Sequence, residues 1–125
     1  MPFTHEQLGR EALKRLKARE GLIAFVRYLM PSYQVKPHHK LIAEKLEAVE
    51  RGEIRRLMVC VGPRSGKSTL VSEFFPAWFF GRNPKLDFIQ ASYGADLAVS
   101  FGRKVRNLLL DPRYANIFPE VTVAK

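Results

Sequence analysis

The sequence predicts an α/β fold, a three-layer core around a parallel sheet that is preceded by N-terminal helices and incomplete at its C-terminal side. Three observations carry that expectation. The run Leu57-Met58-Val59-Cys60-Val61 is short, apolar and closed by a turn, as a buried parallel strand is. A second run of the same kind spans Leu86 to Ala91. Helical periodicity fills the stretches around them, so the order reads helices, then strand–helix–strand–helix. With 125 residues, 46% of them hydrophobic, the chain has enough apolar side chains for one compact core.

The elements follow in order. Thr4 and Gln7 have the spacing of a capping box, and the helix they open places Leu8, Ala12, Leu13 and Leu16 on one face. Its other face carries Arg10, Lys14, Arg15, Lys17 and Arg19, and Gly21 is the expected stop. Leu22 to Met30 is a more apolar helical stretch that ends before Pro31. Pro37 is suited to open the next helix, which runs to about Arg51 with Ile42, Leu46 and Val49 as its stripe and Gly52 just past its end. After the first strand and its turn, a helix is expected from Lys67 to about Phe80, kinked or ended by Pro76. Gly94 to Leu110 is the clearest helix, with Leu97, Phe101, Val105 and Leu108 at helical spacing. Asp111-Pro112 breaks it, and a short turn and a strand over Val121 to Ala124 finish the chain.

Composition narrows the class. The net charge of +9 favours a polyanionic partner, because Lys and Arg release counterions when they neutralise phosphates, although a basic solvated surface has the same composition. The single cysteine, Cys60, excludes an intrachain disulfide and reads as a small buried hydrophobe. No apolar run approaches the roughly 18–20 residues that cross a bilayer, and the first residues lack the apolar stretch of a signal peptide. Phe74, Phe75, Trp78, Phe79 and Phe80 crowd one segment and are expected in the core. Arg103, Lys104 and Arg106 lie on the Gly94–Leu110 helix and suit either DNA or plain solvation.

The chemistry-bearing segment is Gly62-Pro63-Arg64-Ser65-Gly66-Lys67-Ser68-Thr69, placed between an expected strand and an expected helix. That is the context of a phosphate-binding loop. Backbone N–H groups of such a loop and of the helix N-terminus converge on an anion. Gly66 lets the backbone approach phosphate, Lys67 brings a positive charge to the β and γ phosphates, and the Ser68 hydroxyl is suited to ligate Mg²⁺. Arg64 reads as a residue that reaches a phosphate in its own or a neighbouring site, or as a solvated loop residue. The general pattern wants glycine where Val61 stands, so the loop is a variant.

Two stretches resemble the N-terminal part of the large terminase subunit of tailed bacteriophages: PHHKLIAEKLEAVERGEIRRLMVCVGPRSGKSTLVSEFFPAWFFGRNP and IQASYGADLAVSFGRKVRNLLLDPRYANIFP. The likeness covers about Leu22 to Lys125, and a Pro63-Arg64 variant loop is typical of these motors. It implies an N-terminal helical segment over 1–36 and a partial P-loop ATPase domain over 37–125. It also implies ATP and Mg²⁺ as cofactors, and hydrolysis that drives double-stranded DNA into a capsid. The implied partners are that DNA, a small terminase subunit, the capsid portal and further copies of the chain in a ring. The implied location is the host cytoplasm. The family has an adenine-contacting segment ahead of its loop; Pro37-His38-His39 is the nearest match, with His38 as the candidate, while a solvated first helical turn explains both histidines equally well.

Hydrolysis also needs a carboxylate at the end of an apolar strand to hold Mg²⁺. Asp87 lies inside its run, Glu120 precedes one, and Val121-Thr122-Val123-Ala124 ends in Lys125. No nuclease segment is present either. The expectation is the front part of a longer protein, binding ATP weakly and hydrolysing little alone. A non-catalytic DNA-binding or interaction module, or another P-loop NTPase, are the competing readings.

Overall fold

The computed structural model describes residues 4–62 and 66–123. The elements are α1 (His5–Glu20), α2 (Leu22–Leu29), α3 (Pro37–Glu50), a π-helical stretch (Thr69–Phe74) running directly into α4 (Phe75–Arg82), α5 (Ala95–Leu110) and α6 (Pro112–Ile117). Among the described residues none belongs to a strand. The expected parallel sheet, and with it the three-layer α/β core, is therefore corrected to an all-helical packing. The reason is non-local. An apolar run suits a strand, but a strand exists only where a second segment meets its N–H and C=O groups. Residues 56–62 and 87–92 have no regular secondary structure and form no ladder. The same holds for Val121 to Val123, while Ala124, where that third strand was to end, lies outside the described residues.

Local signals fared better, because caps are made by residues a few positions apart. The Thr4 hydroxyl accepts from the Gln7 N–H and the Gln7 side chain accepts from the Thr4 N–H. Gly21 ends α1 in an extended conformation, and Gly52, at φ +81°, ends α3 in the left-handed region open to glycine. Pro37 is the first residue of α3. Asp111 caps α6 by accepting the Arg113 N–H at 2.9 Å, so a helix stands where a turn was expected.

Pro76 neither ends nor breaks its helix, which continues to Arg82. A proline has no N–H to give the carbonyl four residues back. Here that carbonyl belongs to Ser72, and the Gln90 side-chain amide donates to it at 2.8 Å. The ladder ahead of the proline is loosened as well: the Phe75 N–H reaches five residues back, to Leu70.

The core is aromatic. Phe25 of α2 is fully buried, with ring centroids 6.4 Å from Phe74, 5.9 Å from Tyr114 and 6.1 Å from Phe118. Trp78 and Phe75 extend the cluster, as their spacing predicts. Gly81 is required by contact: a Cβ there would stand 2.3 Å from the Phe118 ring. Polar groups are matched at the edges. Tyr114 donates to the Ala77 carbonyl at 2.7 Å, Trp78 Nε1 to the Arg19 carbonyl at 3.2 Å, and Glu47 accepts the Leu22 N–H at 3.0 Å, capping α2 from α3. Arg19 donates in turn to the Ile117 carbonyl at 2.9 Å, tying α1 to α6. Residues of the first 36 thus share one core with those that follow.

One apolar assignment, that of Cys60, is corrected, and the apolar face of α1 is largely left uncovered. Leu8, Leu13 and Leu16 are about half exposed, because the part of α1 that is fully buried is Ala18, near its end. Cys60 is exposed, since Val59 and Val61 take the inward positions of the alternating segment. No helix among the described residues is long and apolar enough to cross a membrane.

Candidate functional site: the turn into the central helix

Segment 56–62, without regular secondary structure, delivers the chain to Gly62, which is exposed and has no neighbouring atom where a Cβ would stand. Pro63, Arg64 and Ser65, expected in the phosphate loop, lie outside the described residues. Gly66 follows at φ +81°, a backbone conformation that L side chains rarely adopt. Lys67 and Ser68 are already helical, and Thr69 begins the π-helical stretch. Lys67 is half-buried and Ser68 exposed. The Leu70 N–H is taken by the Gly66 carbonyl at 3.2 Å; the N–H groups before it belong to a helix's first turn, which lacks intrahelical acceptors. Such a turn is a natural seat for an anion.

Gly66 is also hemmed in from behind. An ideal Cβ on it would lie 2.9 Å from His39 Nε2 and 3.5 Å from the Tyr33 hydroxyl. His39 is buried at 5% exposure, and its Nδ1 accepts the Lys36 N–H at 3.1 Å. With Nδ1 used as an acceptor, a neutral ring carries its proton on Nε2, the edge beside Gly66. The Tyr33 ring sits 5.4 Å from the His39 ring. Its hydroxyl is buried with no hydrogen-bond partner among the described residues, and burial pushes its pKa up. An orphaned donor costs about 1–3 kcal/mol, so this hydroxyl marks a place where a polar group is wanted.

His38, the residue singled out for adenine contact, lies against His39 with centroids 4.0 Å apart and ring planes inclined at 50°, and is half-buried. The ring nearest Gly66 is therefore His39, with Tyr33 beside it. Tyr33 has no local sequence signal and reads as part of a connection, while His39 is visible only as a member of the Pro37-His38-His39 segment in which His38 is the candidate.

Downstream, Glu73 faces α5, where Lys104 Nζ lies 3.9 Å away. Burial pushes the Glu73 carboxyl up, and Lys104 pulls it back only in part. Among the described residues no three His, Cys, Asp or Glu side chains gather as a metal cluster. The exposed Ser68 hydroxyl at the helix start suits a Mg²⁺ ion that takes its remaining ligands from phosphates and water.

Comparison of the chain with protein-family models, with curated proteins and with solved structures finds no match.

Proposed function

We propose that the turn from Gly62 to Thr69 binds the phosphates of ATP, and that the chain is the ATP-binding portion of a viral DNA-packaging motor acting in the host cytoplasm. One observation carries the first half: a left-handed Gly66 leads directly into the first helical turn at Lys67 and Ser68, with a buried imidazole and a phenol closing the back. In this reading the backbone around Gly66 and the amides of Lys67 and Ser68 hold phosphate oxygens. Lys67 neutralises their charge, Ser68 ligates Mg²⁺, and Arg64 adds a second cation. Bound Mg²⁺ would supply charge neutralisation on the phosphates. His39 and Tyr33 hold the turn in place. The second half rests on the resemblance of residues 22–125 to large terminase subunits, and brings double-stranded DNA, a small subunit, a portal and a ring of copies as its partners.

Titration calorimetry with Mg·ATP is the test. Weak binding is expected, at least tenfold weaker in Lys67→Ala, where a phosphate loses its cation. Gly66→Ala is expected to lose affinity as well, because the added methyl meets His39 and the left-handed backbone costs about 1–2 kcal/mol. A flat titration at millimolar nucleotide overturns the proposal. A second reading, a DNA-binding module without nucleotide chemistry, is favoured by the net charge of +9. It wins if duplex DNA binds, ATP does not, and Lys67→Ala leaves DNA affinity unchanged.

A further inference from the structure

A second concavity lies away from the Gly66 turn. α1 and α2 meet at Gly21 and pack along one another, and residues of both, with Arg113 of α6, line an open cleft of about 640 Å³, within the range of small-molecule sites. Its wall carries Lys14 and Lys17 from α1, Arg27 from α2 and Arg113 from α6. Apolar surface between them comes from Ile23, Tyr28 and Pro31. Glu11 is the one acid there, and it is already engaged: it accepts from the Tyr28 hydroxyl and from Arg15 Nε at 3.0 Å. Those bonds hold its carboxyl below the usual range, the Tyr28 contact first. Arg113 shares its charge with Asp111 at 3.0 Å. Among the described residues Lys14, Lys17 and Arg27 have no carboxylate within ion-pair distance.

Surface lysines are normally solvated and need no ligand. What differs here is that unpaired cations ring an apolar hollow large enough to accept a planar group. A bare inorganic anion would leave the Ile23–Tyr28–Pro31 surface wet, and a neutral hydrophobe would leave the cations unanswered. A second copy of this strongly basic chain is an electrostatic mismatch. We propose that this cleft binds a nucleoside phosphate: the base lies against Ile23, Tyr28 and Pro31, and the phosphate takes Lys14, Lys17 and the guanidinium of Arg27. The unit is either a free nucleotide or one nucleotide of a single strand. The site does not depend on the phosphate-binding reading of the Gly66 turn.

The experiment uses a chain carrying Lys67→Ala, so that the turn is disabled, and follows the fluorescence of methylanthraniloyl-AMP. The double change Lys14→Glu/Arg27→Glu is expected to weaken binding at least tenfold. Ile23→Ser, which alters no charge, is expected to weaken it several-fold. The control Arg103→Glu/Arg106→Glu makes the same charge change on exposed positions of α5 and is expected to leave binding within twofold. All these side chains are at least partly exposed, and circular dichroism checks that the fold is kept. The proposal is overturned if the cleft variant binds like its parent, if the α5 control loses as much, or if pyrophosphate displaces the probe as well as AMP does. Competition with an unlabelled twelve-nucleotide single strand separates the two sources: displacement at lower concentration than AMP assigns the strand, and weaker displacement assigns the free nucleotide.

Discussion

Two regions that both carry large apolar side chains end in opposite states. The aromatic centre buries Phe25, Trp78, Phe118 and Tyr114 almost completely, each against several partners from different helices. Segments 56–62 and 87–92, which flank the helical run 67–82, keep only alternate residues such as Val59, Val61 and Phe88 inside. Phe88 packs 5.6 Å from Phe79 and 5.7 Å from Phe80, while its neighbour Ile89 is 91% exposed. Val59 and Val61 point inward, and Met58 is 86% exposed. The difference lies in the supply of partners. Helices satisfy their own backbones and need only a matching face, so local amphipathicity is enough to place them. An extended segment needs a second chain segment beside it for its backbone and a second layer for its other face.

The comparison is tested hardest at its buried end. Phe25→Ala removes the ring that Phe74, Tyr114 and Phe118 surround, and a loss of about 3–5 kcal/mol is expected by urea melting. A loss under about 1 kcal/mol would mean that the centre is loosely packed and the contrast false. A smaller effect is expected at Glu73, between the two regions. Folding raises this carboxyl above its ordinary value of 4.5, chiefly by burial. The stability tied to its protonated form is therefore complete below the unfolded value and is lost as pH rises through the folded one. Glu73→Gln should raise the melting temperature at pH 7, and the gain should fade as pH falls toward 4. A gain that grows on acidification contradicts this assignment. The smallest effect is expected at the exposed end. Met58→Ser with Ile89→Ser should shift stability by no more than about 0.5 kcal/mol each, while lowering the tendency to aggregate in light-scattering assays. A large loss would show that these side chains are buried in solution.

What was legible follows the same division. Thr4, Gly21, Pro37, Gly52 and Asp111 act on residues within a few positions, and each marks its boundary in the sequence as in the fold. The expected sheet is absent among the described residues, and this was not legible, because pairing depends on what lies beside Leu57–Val61 and not on that run itself. The stripe of Leu8, Leu13 and Leu16 shows helical periodicity without showing whether another surface meets it. At the candidate site, the glycine and lysine of the turn are visible as a motif. Its back wall is not: Tyr33 and His39 reach Gly66 only through the packing of α3 beside the central helix, which no spacing encodes.

Pro76 has a consequence beyond its own turn. A regular helix is closed to its surroundings, since every inner carbonyl is already engaged. By withholding one donor, this proline leaves the Ser72 oxygen free to act as a hook, and the Gln90 amide is caught on it. The returning chain is thereby anchored at a fixed height on the rod that begins at Lys67, so that a missing hydrogen atom in one element becomes an address for another.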